Sequence, residues 1–335
     1  SLRTIFSIQD NEIVQKILTT EEANVQIGFK DFTENGNIEN EINLFVVQKF
    51  DLASGPLINT QIVQVEKDKF VLMMCIHHIV SDTWSLKILI RDFLAFYAAK
   101  SKGETAKLSA LKIQNKDYAE WEFLQPIEEQ KKYWLNQLQG NLPRIDLPSY
   151  KERPARQTYN GTHFVRFMPA NTTRVLNNIG TEYNTTLFMS AMAVFNYIFH
   201  KYSAYEKIVI GTVIANRDKF ALEDQVGFYV NTIVIANEIK STDLFSDLIK
   251  NTKKTILEGF ANKQYPYDQL IEDLKLERDL GRASIFDILI ETQNFSNMFA
   301  GDSQEEPNGL DLSIVKPSHI VLQEHESHSC ASTRN

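Results

Sequence analysis

Two adjacent histidines and a nearby aspartate, His77, His78 and Asp82, are the residues whose types and spacing most clearly suggest catalysis. A neutral imidazole, with a pKa of about 6.5, accepts a proton near physiological pH. Successive side chains of an extended chain point in different directions, so the two histidines are expected to point to different surroundings. Ionisable groups at the mouth of a buried element cost free energy unless they are paired or used. We therefore interpret this group as a candidate active site.

A buried strand followed by an amphipathic helix is expected to position these residues. Residues 70–76 (FVLMMCI) are seven uninterrupted apolar residues, a pattern typical of a strand covered on both faces. Ser81 or Asp82 is the expected cap of the helix. The apolar residues that follow have the spacing of one helix face: Leu86, Leu89, Ile90, Phe93, Leu94 and Tyr97.

Composition limits the class of protein. Of the 335 residues, 43% are hydrophobic and 23% are charged, as in a globular protein with a core. At roughly 100–200 residues per domain, this length allows two lobes. The formal net charge of −8 and the lack of a basic stripe argue against a nucleic-acid partner. No apolar run approaches the roughly 20 residues that span a bilayer, so we expect no membrane partner.

Cysteine usage and the first residues indicate the setting of the chain. Cys75 and Cys330 are the only cysteines, which excludes a disulfide framework and predicts a reducing, cytoplasmic environment. The chain starts with neither Met nor a signal-peptide apolar core, so we expect it to be the middle of a longer protein.

Strand-like and helix-like runs alternate in both halves, which predicts an α/β fold of two lobes. Residues 142–156 contain three prolines and predict the boundary. We expect an N-terminal lobe over residues 1–150 that carries the histidines, a C-terminal lobe over 151–317, and a disordered or aberrant tail over 318–335. The expected strands are 42–47, 58–65, 70–76, 163–167, 208–214, 229–235 and 285–293, and the expected helices are 85–100, 117–139, 187–202, 243–260 and 266–275.

Several segments together carry a family resemblance. Residues 77–83 (HHIVSDT) resemble the HHxxxDG signature of condensation domains from nonribosomal peptide synthetases. That signature alone is moderately specific, because several acyltransferases share HxxxD, but further matches keep the family's order along the chain. They are LRTIF at 2–6, NKDYAEW at 115–121, IGTVIANR at 210–217, VGFYVNT at 226–232, and the segments 264–270 and 278–286.

The resemblance implies an α/β fold similar to chloramphenicol acetyltransferase, with an active-site tunnel between two lobes. Donor and acceptor peptidyl carrier proteins would supply 4'-phosphopantetheine arms, and the domain itself would bind no cofactor. The acceptor amine would attack the donor thioester and form an amide (peptide) bond in secondary-metabolite synthesis. An adjacent adenylation domain is an expected partner, and the domain would be a monomeric part of a module. By this resemblance the N-terminal lobe lacks its start and the C-terminal lobe lacks its end.

The resemblance also assigns roles. His78 would take the amine's proton or hydrogen-bond the tetrahedral intermediate, and the sequence does not choose between these roles. His77 is as readily a brace of the turn as a catalytic residue, and Asp82 is expected to be structural, paired with Arg217. Thr83 stands where the family has Gly; a β-branched residue fits there if φ is negative and is strained if φ is positive.

Three other residues have two interpretations each. Trp84 and Ser85 would line the substrate passage, or serve helix capping and packing. Asn231 would orient the substrate, or make a hydrogen bond within the sheet.

The resemblance also bears on the subtype within the family. Thr83-Trp84-Ser85-Leu86 favours condensation over epimerisation, and the Asp-rich motif of heterocyclisation relatives is absent.

Two other classes of function stay open at this point. One is a free-standing acyltransferase that uses a soluble thioester such as acyl-coenzyme A, and the other is a catalytically degenerate docking remnant. No nucleotide or flavin motif is present. The tail residues 318–335 do not resemble the family's continuation. They carry ligand-type side chains whose spacing matches no zinc pattern: His319, His325, His328 and Cys330.

Overall fold

The structure, a computed structural model, describes residues 1–33, 36–147, 152–158, 162, 164–277 and 279–292. These residues form two compact units. The first contains residues 1–123 and the later segment Arg217–Tyr229, and the second contains Leu124–Asn216 and residues 230–292. The expected tail, 318–335, lies outside the described residues.

The first unit contains an antiparallel hairpin and a separate three-stranded sheet of order β3-β4-β5, in which β4 pairs parallel with β3 and antiparallel with β5. Its longest helix, α3, follows β5 after one turn of 3-10 helix at His78–Val80. The elements in chain order are β1 Thr4–Gln9, β2 Glu12–Ile17, α1 Thr20–Ala23, β3 Ile27–Asp31, α2 Ile38–Val46, β4 Ile58–Glu66, β5 Lys69–Ile76, α3 Thr83–Ser101 and α4 Asn115–Phe123.

Helix α2 replaces the strand expected at residues 42–47, which is a wrong prediction. The side chain of Asn37 accepts a hydrogen bond from the Asn40 backbone N–H at 3.0 Å and caps the helix. Ile38, Ile42 and Phe45 then fall at helical spacing and pack in one cluster with Val63 and Met73 of the sheet. The run of apolar residues hid this spacing, because Leu44, Val46 and Val47 are apolar but exposed.

The strand expected at residues 70–76 is confirmed as β5, but it is not covered on both faces. It is the last strand of the described sheet, and Phe70 at its start is 54% exposed. Met73 is the one buried residue of the strand, and Met74–Ile76 at its end are half-buried.

The second unit packs helices around a two-stranded antiparallel sheet, β6 with β7. Ile208, Ile210, Ile233 and Ile235 are fully buried in its core. The elements are α5 Glu128–Gln137, α6 Ala170–Tyr183, α7 Leu187–Ser203, β6 Lys207–Ile214, β7 Asn231–Glu238, α8 Phe245–Ala261 and α9 Tyr267–Leu274. The helices expected at 187–202, 243–260 and 266–275 and the strands expected at 208–214 and 229–235 are confirmed, with ends shifted by one or a few residues. The strands expected at 163–167 and 285–293 are wrong predictions for their described parts. Residues 164–167 form no strand, and within residues 285–292 there is a single isolated bridge, from Leu289 to Gly211.

The units divide at a different place from the predicted lobes 1–150 and 151–317. The helix expected over 117–139 is two helices, α4 and α5, and Pro126 lies in the break between them, where a proline would interrupt helical hydrogen bonding. Helix α5 belongs to the second unit because Trp134 is buried in its core and donates to the Asn262 carbonyl at 2.9 Å. The segment Arg217–Tyr229 belongs to the first unit.

Candidate active site

His77 follows the last residue of β5 and caps the 3-10 turn His78–Val80. Its backbone N–H donates to the Leu57 carbonyl at 3.0 Å, and its Nδ1 accepts from the Ile79 backbone N–H at 3.1 Å. Its ring meets Phe50 edge-on, with 5.8 Å between the ring centroids. Burial, and secondarily the charge of His78, lowers the pKa of His77. A neutral His77 that uses Nδ1 as an acceptor carries its proton on Nε2, and it serves as a brace of this turn.

His78 is the exposed histidine of the pair. Its ring contacts Phe228 in a T-shaped arrangement, with 5.4 Å between the centroids and 75° between the planes. Among the residues that the structure describes, no hydrogen-bond partner of either ring nitrogen is found. An imidazole in this position is free to accept a proton from, or donate one to, a bound molecule.

Asp82 caps helix α3 and is fully occupied by protein donors. It accepts hydrogen bonds from the backbone N–H of Ser85 at 2.8 Å, the Ser85 hydroxyl at 2.7 Å and the Tyr229 backbone N–H at 3.2 Å. The predicted ion pair with Arg217 is present, with 2.9 Å from Nη2 to each carboxylate oxygen. The two side chains are 0% and 1% exposed. Both oxygens of this buried carboxylate are therefore hydrogen-bonded to groups of the protein.

Arg217 holds the segment Arg217–Tyr229 together by donating hydrogen bonds to its backbone carbonyls. Its Nη1 donates to the carbonyls of Leu222 at 2.7 Å and Gln225 at 2.6 Å. Its Nη2 also donates to the Gly227 carbonyl at 3.2 Å, and its guanidinium lies 4.2 Å from the centroid of the Tyr229 ring. Charge-assisted hydrogen bonds and a stacked aromatic ring suit a buried guanidinium. The segment is therefore organised by one buried cation.

Ser85 connects the helix to that segment and is fully buried. Its hydroxyl lies 2.9 Å from the Gly227 carbonyl and accepts from the Gly227 backbone N–H at 3.0 Å. A Cβ at residue 227 would approach the side-chain amide of Asn115 to 2.7 Å and the ring of Tyr229 to 2.8 Å, so one of these side chains would have to move.

Thr83 and Trp84 lie at the exposed start of α3. Thr83 is the first residue of the helix, and its φ is not positive. The backbone therefore does not require glycine at this position. Trp84 is 39% exposed, and its indole N–H donates to the Glu223 carbonyl at 2.9 Å. The Trp84 ring remains available at the surface of the first unit.

Asn231 lies in the second unit, and its side-chain amide is engaged with the backbone. Its Nδ2 donates to the carbonyls of Lys263 at 2.7 Å and Tyr265 at 2.9 Å. Its Oδ1 accepts from the backbone N–H groups of Thr232 at 2.9 Å and Tyr267 at 3.2 Å. The amide thus braces the turn that leads into α9.

Phe228 is the residue beside the candidate base that sequence reasoning did not single out. It lies inside the matched segment 226–232, but at the position that the GxFVNT pattern leaves unspecified. The contact of Phe228 with His78 is seen only in the tertiary structure. There, Gly227 is hydrogen-bonded to Ser85 and Tyr229 to Asp82, which brings residue 228 beside His78.

The described residues were also compared with the requirements of a membrane-spanning helix and of a metal site. In the part of the chain that the structure describes, no helix is long and apolar enough to cross a bilayer. No group of three or more His, Cys, Asp or Glu residues is arranged to hold a metal ion among those same residues.

Comparison with known proteins agrees with the residue-level resemblance. A sequence model described as Condensation domain matches residues 1–329. The match includes most of the segment 318–335, for which the sequence analysis found no family likeness. Gramicidin S synthase 2 of Brevibacillus brevis is 34% identical over 298 residues, which are 88% of this chain and 6% of that protein. The chain therefore spans a small part of this relative.

Solved structures show the same fold. A four-domain nonribosomal peptide synthetase, in its holo form with AMP and glycine, matches with a TM-score of 0.77 at 23% identity, over 87% of this chain and 22% of that chain. The first condensation domain of the calcium-dependent antibiotic synthetase matches with a TM-score of 0.64 at 13% identity, over 87% of this chain and 66% of that chain. The α/β fold expected from the sequence is confirmed by these matches.

Proposed function

This chain belongs to the condensation-domain family, and we propose that it forms an amide bond between two carrier-bound substrates in nonribosomal peptide synthesis. The donor is an acyl or peptidyl thioester, and the acceptor is the free amine of an aminoacyl thioester. The observation that carries this proposal is the exposed imidazole of His78, which stands at the end of β5. The buried pair Asp82–Arg217 supports the start of the following helix.

The reaction moves one proton from the nitrogen to the sulfur, in two transfers through His78. The acceptor nitrogen attacks the thioester carbonyl and forms a C–N bond, and the C–S bond then breaks and releases the donor's thiolate. The proton lost by nitrogen passes to His78 and from there to the leaving sulfur. A free α-amine has a pKa of about 7.7–8.0, so much of it is protonated at pH 7 and a base assists the neutral form.

His78 is the residue that we assign to the reacting atoms, as a general base or as a hydrogen-bond donor to the tetrahedral intermediate. General-base assistance is typically worth about 10²–10⁴-fold in rate. Electrostatic stabilisation of the intermediate is of similar size. Both roles require the ring nitrogen to be free of protein partners, and the surroundings of His78 support this.

The other predicted site residues are assigned to support. His77 braces the turn through Nδ1, and Asp82, Ser85 and Arg217 hold the start of α3 against the segment Arg217–Tyr229. Asn231 braces the turn before α9 in the second unit. Trp84 and Thr83 are exposed beside the site and are available to a substrate or a carrier.

The partners follow from the proposed chemistry. Donor and acceptor peptidyl carrier proteins bring 4'-phosphopantetheine arms, so the domain needs no cofactor of its own. An adenylation domain in the same module loads the acceptor carrier, and the condensation domain acts as a single copy. Nucleic acid and membrane have no role in this reaction, and a cytoplasmic setting stays a prediction from the cysteine content.

A single-turnover assay tests the proposal. Donor and acceptor carrier proteins, loaded with a panel of aminoacyl-phosphopantetheine groups, are mixed with the chain, and the dipeptidyl thioester is measured by mass spectrometry. We expect product that falls by at least about 10²-fold in His78→Ala. Ile79→Ala, a change at the exposed neighbouring residue, is the matched control and should retain activity.

Two results would contradict the proposal. One is equal product from the wild type and from a folded His78→Ala variant. The other is turnover of soluble acyl-coenzyme A without turnover of any carrier-bound pair. Folding of each variant is checked by circular dichroism.

A further inference from the structure

Phe228 stands between two residues whose backbones are bound to the support of the site. Before it, the Gly227 carbonyl lies 2.9 Å from the Ser85 hydroxyl, and the Gly227 N–H donates to the same oxygen at 3.0 Å. After it, the Tyr229 N–H donates to Asp82 at 3.2 Å. The position of Phe228 is therefore set by buried hydrogen bonds on both sides, although its own side chain is not buried.

Core packing does not explain why a phenylalanine stands at position 228, because this residue is half exposed. The side chain is 48% exposed, whereas the neighbouring Tyr229 is only 3% exposed. Its ring contact with His78 has 5.4 Å between centroids and 75° between planes. This is the T-shaped geometry that aromatic pairs prefer. A half-exposed phenylalanine is thus held against the one imidazole that is assigned to the reaction.

His78 lacks the orienting group that catalytic bases usually have. In a typical arrangement, a hydrogen bond from a third residue fixes the ring of the base. No such partner of His78 is found in the described ranges, and the nearby carboxylate of Asp82 is occupied by Ser85, Arg217 and Tyr229. The orientation of the imidazole therefore depends on its ring contact with Phe228.

We infer that Phe228 is a positioning residue for His78, a role that rests on the proposed function. The edge-on contact restricts rotation of the imidazole about its Cβ–Cγ bond. Productive geometry for proton transfer requires side chains held within about 0.5 Å and 10–20°, and a misplacement of about 1 Å can cost about 10²-fold in rate.

Three variants separate positioning from fold support. Phe228→Ala removes the ring, Phe228→Tyr keeps it, and Phe220→Ala is the matched control, because Phe220 lies in the same segment and is 78% exposed. We expect Phe228→Ala to lower kcat about 10–100-fold with little change in KM. Phe228→Tyr and Phe220→Ala should stay within about threefold of the wild type, and all three should keep the wild-type melting midpoint.

A readout without substrate tests the contact directly. The ring ¹H and ¹³C resonances of His78, assigned with His78→Ala, should shift in Phe228→Ala because an aromatic ring current is lost. They should keep their positions in Phe220→Ala. The rate at which diethylpyrocarbonate modifies His78, followed by mass spectrometry of the peptide, should rise in Phe228→Ala as the imidazole becomes more accessible.

The outcomes distinguish this inference from the proposed function. Unchanged His78 resonances and unchanged kcat in Phe228→Ala would overturn the positioning role while the function stands. Shifted resonances and faster modification, in a chain that forms no amide, would support the contact and overturn the proposed function. A loss of kcat without any change at His78 would also overturn the positioning role, since Phe228 would then act on the substrate.

Discussion

Asp82 and Arg217 form a buried ion pair across 135 positions of sequence, with 2.9 Å from one guanidinium nitrogen to each carboxylate oxygen. Asp82 caps helix α3, and Arg217 opens the segment Arg217–Tyr229. The pair therefore ties that segment to the start of the helix that follows the histidines. Both charges are removed from water, so each depends on the other for its solvation.

Asp82→Ala is expected to destabilise the first unit. Removal of one member of a buried ion pair leaves the other charge uncompensated, at a cost of about 3–5 kcal/mol in the free energy of unfolding. Urea denaturation followed by circular dichroism measures this change. Asp224→Ala is the control, because Asp224 pairs with Arg91 at the surface, where an ion pair contributes about 0–1 kcal/mol. A smaller loss for Asp82→Ala than for Asp224→Ala would contradict the assignment.

The stability of the chain is expected to fall as the pH is lowered through the titration of His77. Burial lowers the pKa of His77 in the folded state, so near pH 6.5 and below the unfolded state binds more protons than the folded state. Stability then rises with pH in this window. The loss at low pH also has a structural cause, because a protonated Nδ1 can no longer accept from the Ile79 N–H.

The comparison of the wild type with His77→Asn isolates this effect. Asparagine keeps an acceptor oxygen but does not titrate, so its variant should lose less stability between pH 7.5 and pH 5 in urea denaturation. Identical pH dependence in the wild type and His77→Asn would argue against the brace.

Thr83→Gly, which restores the family's residue, is expected to bring no gain. Thr83 is the first residue of α3 and its φ is not positive, so glycine relieves no strain there. Glycine is less favourable than alanine in a helix by about 1 kcal/mol at interior positions, and a smaller loss is expected at the first position. Thr83→Ala is the matched control. A clear rise in amide formation for Thr83→Gly alone would show that the threonine impairs the site.

Asn231→Ala is expected to loosen the turn before α9. The variant removes the hydrogen bonds that the Asn231 side chain accepts from the Thr232 and Tyr267 N–H groups and donates to the Lys263 and Tyr265 carbonyls. Buried groups left unsatisfied cost about 1–3 kcal/mol each where water does not replace the partner. Thermal and urea unfolding measure the loss, and Asn171→Ala on the exposed face of α6 is the control. Wild-type stability with lost amide formation would instead favour a substrate contact for Asn231.

The sequence predicted the local elements of the site because their signals lie within a few residues of one another. Asp82 lies at the cap position of α3, and the apolar spacing after Ser85 is that of a single helix. Where several apolar residues adjoin, as at residues 42–47, the spacing is ambiguous, and a helix was mistaken for a strand. The helical assignment there depends on which residues reach Val63 and Met73, and that is decided by packing.

The partnership of Asp82 with Arg217 was also expected, because a carboxylate at a buried helix start needs a cation and a matched family segment supplied one. The other long-range contacts had no such signal. Nothing in the residue types indicated that Ser85 is buried between two backbone groups of Gly227, or that the chain after Arg217 packs with the first unit. These contacts depend on the return of a distant segment.

The identity of the family and the chemical types at the candidate site, above all the imidazole of His78, were determined by the sequence alone. They reside in side-chain chemistry and short-range spacing, which no later folding step alters. The tertiary structure decided which groups are free and which are occupied. It left His78 exposed against Phe228 and enclosed Asp82, because exposure and hydrogen-bond partners are set by contacts between segments far apart in the chain.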